Sequence, residues 1–277
     1  MKKLILIIAA FVAFQSFSQI NAPITSPPST VTQKVGIIDV KVEYNRPSVK
    51  GRKIFGDLLP FGKPWRTGAN SPTKITFSDS VIISGKKIAG GTYALYSIPN
   101  AKEWTIIFGK KTNVNADNHK EEDDAIRFNV PVETVAYLTE SFAFGFENLG
   151  KFSADLVLKW ENTAVRFGIE NDADSKIMAD IKSKTDNTDT FWAAANYYFD
   201  NGKDLKQALE WANKVIEKNP KFWTIHLKAK ILAKMGDCKA AVEAAKKSFD
   251  MAKTEKNDDY VKMNEKLIAD CKPATSK

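Results

Sequence analysis

The chain has 277 residues, which is more than a typical single domain contains and favours two domains. A hydrophobic fraction of 43% and a charged fraction of 27% are typical of globular proteins and exclude a largely disordered chain. The formal net charge is +8, and residues 45–66 contain six basic side chains against one acidic side chain. This uneven basic charge suits an acidic glycan, an anionic lipid surface or a protein partner, and plain solubility is the alternative.

Residues 1–18 have the pattern of a secretory signal peptide. Two lysines precede an apolar stretch at residues 4–14, and Ser16 and Ser18 provide the small side chains of a cleavage site. The alternative is a retained membrane anchor, although the stretch is shorter than the ~20 residues that a span needs. We therefore expect a periplasmic or secreted protein with no transmembrane segment after cleavage. Nucleic acid is not an expected partner at that location.

The next part of the chain predicts a β domain. Residues 19–30 are rich in proline, serine and threonine, which indicates an extended leader. Over residues 31–170, apolar side chains recur at every second position, as in segments 38–44, 104–108 and 142–146. Short strands separated by turn residues predict a mainly β domain of the β-sandwich or jelly-roll-like kind, and a closed barrel is the alternative.

The hydrophobic period changes after the β domain. Residues 171–187 predict a linker with a weak helix, and residues 188–272 predict an all-α, tetratricopeptide-like domain. Two helix–turn–helix units of about 34 residues and one capping helix account for its length. Small side chains such as Ala195 and Ala208 are predicted to let neighbouring helices approach closely.

The two cysteines, Cys238 and Cys271, predict one disulfide. Export would place them in an oxidising compartment, where a disulfide persists. Cys238 opens one predicted helix and Cys271 closes its predicted antiparallel neighbour, which brings the two side chains together. The alternative is a pair of free buried thiols.

The densest polar segment, residues 44–70, combines glycines, prolines, arginines and a tryptophan, which suggests a structured functional loop. Arginine binds carboxylate, sulfate or phosphate through two parallel hydrogen bonds, and tryptophan offers a flat face to a sugar ring or a cation. The alternative is that the arginines pair with acidic side chains on the strands and the tryptophan belongs to the core. The predicted binding residues are Arg46, Arg52, Trp65, Arg66 and Asn70.

The segment also carries a family resemblance. The strings YNRPSVKGRKIFG, PFGKPWRTGAN, KKIAGGTYALYSIP and EWTIIFGKK occur in this order. They resemble the secreted bacterial family called Domain of Unknown Function 2911, over about residues 26–168. The resemblance implies a β-rich fold, export and often a helical-repeat tail. It implies no established activity, substrate or catalytic residue.

The predicted helical-repeat domain supplies a second candidate surface. Its inner face is expected to carry Trp192, Asn196, His226 and Lys230. Such a groove suits an extended peptide or a C-terminal carboxylate. The alternative is that this surface packs on the β domain.

Catalytic and metal-binding patterns are weak in this sequence. His119 and His226 are its two histidines, and no clustered ligand pattern predicts a metal or a cofactor. Residues 113–124 lack the glycine and the final glutamate of a calcium loop, so we expect an acidic surface loop. Carboxylates suited to glycoside hydrolysis are present, but sequence spacing does not show which of them converge: Glu43, Asp57, Glu140 and Glu147.

These observations favour a non-enzymatic binding or scaffold protein of the cell envelope. Its expected partner is a protein, a peptide or an anionic glycan. The alternative is a hydrolase that acts on envelope glycans or peptides through carboxylates of the β domain.

Overall fold

The computed structural model describes residues 22–184 and 188–271. The predicted signal peptide, residues 1–18, lies outside the described residues. The chain divides after Ala173 into two compact units, which we call the β unit and the helical unit. The predicted fold class is confirmed, because a mainly β region is followed by an all-α region.

The described part of the β unit contains a nine-stranded antiparallel sheet. Its strand order is β1-β2-β3-β6-β7-β8-β9-β4-β5, so β1 and β5 are the two edges and the sheet does not close into the alternative barrel within the described chain. The strands are β1 (Pro28–Val35), β2 (Ile38–Asn45), β3 (Thr73–Phe77), β4 (Val81–Ile83), β5 (Lys86–Ile88), β6 (Gly91–Ile98), β7 (Glu103–Gly109), β8 (Asp124–Glu147) and β9 (Ser153–Glu170). β1 begins inside the segment that the sequence predicts as a leader.

Strand β8 joins the two halves of the sheet. It pairs with β7 up to Pro131 and with β9 from Val132 onward. Apolar side chains from both halves, such as Val42 of β2 and Leu158 of β9, belong to one buried cluster. Two layers that share one core in this way have the arrangement of a sandwich.

The alternating pattern fails in β6, where five consecutive residues are buried. One face of β6 contributes to the main core, and Ala94 and Tyr96 on the other face belong to a second small cluster with Ile107 and Ala116. Ala116 lies in the segment between β7 and β8 that the sequence predicts as an acidic surface loop. Because this segment covers the outer face of β6 and β7, neither face of β6 remains wet.

The described part of the helical unit contains six helices: α1 (Ala173–Ser183), α2 (Thr188–Asp200), α3 (Leu205–Lys218), α4 (Phe222–Lys234), α5 (Cys238–Thr254) and α6 (Asp258–Asp270). Side-chain caps begin three of them, since Asp204, Asp237 and Asn257 accept hydrogen bonds from backbone N–H groups of α3, α5 and α6. Ala195 and Ala208 are fully buried in one cluster of the helical unit, as the close approach of neighbouring helices requires.

Candidate functional site

The second half of the predicted polar loop, residues 44–70, which we call the arginine loop, is held by strands on two sides. Trp65 and Ser97 of β6 exchange both backbone hydrogen bonds, at 2.7 and 2.9 Å. The backbone N–H of Thr73 donates to the carbonyl of Arg66 at 3.1 Å, and that of Ala69 donates to the carbonyl of Asn45 at 3.3 Å. This part of the loop is therefore an ordered extension of the sheet.

Thr67 shows how tightly the loop is fixed. This β-branched residue is fully buried and has a φ of +52°, a left-handed conformation that costs of order 1–3 kcal/mol. Its hydroxyl donates to the hydroxyl of Ser97 at 2.9 Å, and its carbonyl accepts from the Thr73 hydroxyl at 2.6 Å. These buried hydrogen bonds stabilise the strained conformation.

Trp65 does not offer a flat face to a ligand, contrary to the sequence prediction. Its side chain is 6% exposed, and its indole N–H donates to the carbonyl of Gly68 at 3.0 Å. The ring stacks on Trp160 with centroids 5.8 Å apart and meets Trp104 and Phe142 edge to face. Trp65 therefore belongs to the aromatic core, as the alternative interpretation proposed.

Two of the three predicted arginines bind backbone carbonyls. Arg46 Nε donates to the carbonyl of Phe142 at 2.9 Å. Arg52 donates from Nε to the carbonyl of Val49 at 3.0 Å and from Nη2 to that of Ser48 at 2.6 Å. Arg66 Nε is buried without a hydrogen-bond partner among the described residues. Arg46 and Arg52 therefore hold backbone carbonyls of the loop and of β8, rather than the strand acids that the alternative proposed.

Asn70, the last predicted binding residue of the loop, is exposed and has a φ of +60°. Its side-chain amide donates to the carbonyl of Ser26 at 3.3 Å, and the amide of Asn45 donates to the same oxygen at 3.1 Å. Asn70 thus helps to attach the segment before β1 to the loop.

Three of the four carboxylates considered for hydrolysis have basic or backbone partners. Glu147 lies 2.6 Å from Lys159 and 3.1 Å from Arg166, and Arg166 also binds Glu133 at 2.6 Å. Hydrogen bonds from Arg166 lower the pKa of Glu133, and a hydrogen bond from Lys159 lowers the pKa of Glu147. A general acid needs a raised pKa, so this pair lacks the proton donor that glycoside hydrolysis requires.

Two other carboxylates from the sequence prediction also have local partners. Glu43 forms an exposed ion pair with Lys41 at 2.8 Å. Glu140 accepts a hydrogen bond from the backbone N–H of Lys50 at 2.9 Å. Asp57 is exposed. These contacts fix the positions of Glu43 and Glu140 within the β unit and give no sign of a shared proton-transfer site.

The helical unit contains an open pocket of about 420 Å³, which we call the helical pocket. Four helices and the residue that ends α6 provide its walls: Phe199 of α2, His226, Lys230 and Ala233 of α4, Cys238 of α5, Met263, Lys266, Leu267 and Asp270 of α6, and Cys271. Its volume is within the range of small-ligand sites, about 300–1,000 Å³.

The helical pocket contains part of the predicted groove. His226 and Lys230 line it, whereas Trp192 and Asn196 do not. The side-chain amide of Asn196 donates to the carbonyl of Trp192 at 2.9 Å, and Trp192 packs against the main apolar cluster of the helical unit. Of these four residues, His226 and Lys230 therefore line the helical pocket, whereas Trp192 and Asn196 make contacts within the helical unit.

A buried polar network orients His226. Asn264 is fully buried and donates from its amide to the Ser248 hydroxyl at 2.9 Å and to the Tyr260 carbonyl. Its side-chain oxygen therefore faces His226 Nδ1, at 2.7 Å, and Nδ1 must donate to it. Nε2 of neutral His226 is then a hydrogen-bond acceptor on the wall of the helical pocket.

Burial keeps His226 in this neutral form. Desolvation lowers its pKa below the ordinary value of 6.5, and the nearby Lys230 ammonium acts in the same direction. The hydrogen bond with Asn264 opposes the shift. At neutral pH the pocket therefore contains an uncharged acceptor.

Two lysines give the helical pocket its positive charge. Lys230 Nζ lies 4.5 Å from the centroid of the Phe199 ring, a cation–π contact, and Lys266 approaches from α6. Within the described part of the chain, neither lysine has a carboxylate partner at ion-pair distance. Asp270 contributes one negative charge to the same wall.

The two cysteines meet at the helical pocket as free thiols. Their sulfur atoms are 2.6 Å apart, so the predicted juxtaposition is present and the predicted disulfide is not. The hydrogen bond with Cys238 and partial burial raise the pKa of Cys271 to about 11. Because the thiolate is the nucleophile, a raised pKa lowers the thiolate fraction of Cys271 at neutral pH.

Sequence reasoning missed Asn264, Phe199 and Lys266. Asn264 had a detectable signal, because it occupies the position between Tyr260 and Ile268 on one stripe of α6. A polar residue within such a stripe indicates a buried hydrogen-bond network. Phe199 and Lys266 lacked a comparable signal, since only the packing of α2 and α6 around α4 brings them to His226.

Within residues 22–184 and 188–271, no group of three or more histidine, cysteine or acidic side chains is arranged to hold a metal ion. The helices of the described chain are also too short or too polar to cross a membrane.

The fold and its pocket define a two-unit protein in which an antiparallel β unit precedes a helical unit with a ligand-sized pocket. The family described as Protein of unknown function (DUF2911) matches residues 26–169, more than half of the chain, and the chain belongs to this family. The match covers the β unit and confirms the resemblance found in the loop motifs. No curated protein and no solved structure matches the chain.

Proposed function

We propose that this protein is a non-enzymatic binding protein of the cell envelope, and that its helical pocket receives the C-terminal end of a peptide. The observation that carries the proposal is the free acceptor Nε2 of His226 beside two unpaired lysines and an apolar wall. The pattern of residues 1–18 supports the envelope location.

Each part of a peptide C-terminus has a complementary group in the pocket. Lys230 and Lys266 suit the terminal carboxylate, because ammonium–carboxylate hydrogen bonds are strong. Nε2 of His226 can accept from a backbone N–H of the peptide. The last apolar side chain can pack against the wall of Phe199, Met263 and Leu267. This combination favours a terminal carboxylate attached to an apolar residue.

The two cysteines support a structural addition to this proposal. Oxidation in the envelope would join Cys238 at the start of α5 to Cys271 at the end of α6, on the pocket wall. The bond would fix two helices that line the site before ligand arrives. A pre-organised site loses less entropy on binding.

The alternative hydrolase has weaker support. The two carboxylates on β8, Glu133 and Glu147, have lowered pKa values and basic partners on β9, so they suit a stabilising ion-pair cluster. The helical pocket offers a neutral histidine but a cysteine with a raised pKa. A nucleophile needs a lowered pKa or an adjacent base.

The experiment is a binding screen with peptides that have random C-terminal residues and are attached through their N-termini. Selected peptides are then measured in solution as free acids and as amides. We expect amidation to weaken binding by about tenfold or more, because it removes the charge that the lysines recognise. Equal binding of acid and amide would contradict the proposal.

The matched variants are Lys230→Met with Lys266→Met, compared with Lys228→Met. Lys228 lies on the same helix α4 and is similarly half-buried, but it lines a different pocket with Ile225 and Ala244. We expect the double variant to lose the preference for the free acid and the Lys228 variant to retain it. An equal loss in both would show that helix charge in general, rather than the helical pocket, attracts the peptide.

A further inference from the structure

The β unit presents an apolar tip at the far end of the arginine loop, which we call the loop tip, residues 50–64. Leu58 is 44% exposed and Phe61 is 43% exposed, and Pro60 and Pro64 beside them are also exposed. Large apolar side chains this close together on a surface mark an interaction site more often than isolated ones do.

Buried side chains and backbone hydrogen bonds anchor the loop tip. Ile54 and Phe55 are buried in the core, and the backbone N–H of Leu59 donates to the carbonyl of Ile54 at 2.9 Å. The N–H of Gly62 donates to the carbonyl of Pro99 at 2.9 Å. Gly56 has a φ of +87°, and a Cβ there would lie 2.9 Å from the Phe61 ring, so only glycine lets the ring lie across the turn. The exposed side chains are thus held outward by a fixed backbone.

Exposed basic side chains flank the apolar residues along the loop tip. Lys50, Arg52, Lys53 and Lys63 are all exposed, and Asp57 is the one acidic residue of the loop tip. In the described ranges, none of the three lysines forms an ion pair within 4.0 Å. The loop tip therefore combines protruding apolar groups with an excess of positive charge, against Asp57 and the Glu140 carboxylate that accepts from the Lys50 backbone N–H.

We infer that the loop tip docks the β unit on an anionic lipid surface. Leu58 and Phe61 would enter the boundary between headgroups and acyl chains, and Lys50, Lys53 and Lys63 would contact lipid phosphates. Lipid fits better than a soluble glycan, because Trp65, the aromatic residue suited to stack on a sugar, is buried. This inference concerns the β unit and does not depend on peptide binding by the helical pocket.

The experiment uses the chain without its predicted signal peptide and measures co-sedimentation with vesicles. Vesicles of phosphatidylcholine alone are compared with vesicles that also contain phosphatidylglycerol. We expect binding to the anionic vesicles, and we expect added salt to weaken it because screening shortens the reach of the lysines. Equal binding to both kinds of vesicle, or to neither, would overturn the inference.

Two variants and a matched control identify the contact. Leu58→Ser with Phe61→Ser is expected to weaken vesicle binding by at least about tenfold, because each buried apolar side chain contributes about this factor. Lys53→Ser with Lys63→Ser is expected to remove the preference for anionic vesicles. The control is Tyr137→Ser with Leu138→Ser on β8, where the side chains are 58% and 56% exposed. An equal effect of the control would overturn the inference.

A soluble polyanion separates lipid from glycan recognition. If dextran sulfate binds the wild type and the Leu58→Ser, Phe61→Ser variant equally, and neither sediments with vesicles, the loop tip recognises a glycan and the inference fails. All the variants that are tested with vesicles are expected to retain their binding to free-acid peptides, since their helical pocket is unchanged. Loss of one activity is therefore distinguishable from loss of the other.

Discussion

The arginine loop of the β unit and the helical pocket both concentrate polar side chains, but they use them differently. In the loop, Trp65, Arg46 and Arg52 donate to backbone carbonyls, and Thr67 is buried in a strained conformation. In the pocket, the same kind of internal hydrogen bonding engages only one nitrogen of His226 and leaves the other available. A dense polar motif therefore indicates a site only where hydrogen-bonding capacity remains after folding.

The largest expected effect is the loss of stability when Trp65 is replaced, which tests whether the arginine loop is a structural part of the β unit. Replacing Trp65 with alanine removes the ring from the aromatic core and leaves the Gly68 carbonyl without its donor. We expect the free energy of unfolding of the β unit to fall by about 3–5 kcal/mol. Chemical denaturation measures the loss, and hydrogen exchange assigns it to the β unit.

Leu58→Ala is the control for Trp65→Ala, because Leu58 is an exposed apolar residue of the same loop. Its expected change in unfolding free energy is within about 0.5 kcal/mol. If Trp65→Ala cost no more than Leu58→Ala, the ring would be a surface group and the structural account of the loop would be wrong.

The second prediction concerns the wall of the helical pocket. Cys238 and Cys271 are 33 residues apart, and oxidation is expected to stabilise the helical unit by about 3–4 kcal/mol through loop closure. Thermal unfolding of oxidised and reduced protein measures the difference. The Cys238→Ser variant serves as the control, and its thermal unfolding should be the same under oxidising and reducing conditions. Identical unfolding of oxidised and reduced wild type would exclude the bond.

The third prediction tests the network behind His226. Asn264→Ala leaves Nδ1 of His226 without its buried partner and removes the amide that donates to the Ser248 hydroxyl, which keeps its own bond to the Phe222 carbonyl. We expect it to lower the free energy of unfolding of the helical unit by about 1–3 kcal/mol. Asn196→Ala is the control, because within the described residues its amide bonds to a carbonyl of its own helix. Similar losses for both variants would contradict the role of Asn264.

The smallest expected effect is a pH dependence. Burial lowers the pKa of His226 below 6.5, so the unfolded chain binds a proton more readily than the folded chain. Stability from this group is therefore complete above pH 6.5 and is lost as the pH falls through the lowered pKa. Denaturation as a function of pH, compared with His226→Gln, should show a weaker dependence in the variant. A steeper pH dependence of stability in the variant would contradict the direction expected for His226.

We expect peptide affinity also to fall as the pH falls through the pKa of His226. Protonation of His226 removes the Nε2 acceptor and adds charge beside Lys230. Lys230, Lys266, Asp270 and the two thiols line the same pocket as this histidine, and the Tyr260 ring meets it edge to face. Because these groups lie close together, peptide binding as a function of pH is compared between the wild type and His226→Gln. The difference between the two gives the contribution of the His226 ring.

The sequence predicted the fold class from local patterns. β2 alternates because one face is buried and the other is wet, and its spacing shows this directly. β6 does not alternate, because the segment around Ala116 covers its second face. That contact depends on a loop that folds back from β7, and no local spacing within β6 encodes it.

The amino-acid sequence by itself determined the change from strand to helix periodicity, the family motifs and the meeting of Cys238 with Cys271. These follow from local spacing and from the order of antiparallel neighbours. Only the tertiary structure decided that Trp65 is core, that Arg46 binds a carbonyl of β8, and that His226 faces a pocket. The physical reason is that burial and hydrogen-bond partners come from residues distant in sequence, such as Trp160, Phe142 and Asn264, whose proximity exists only after folding.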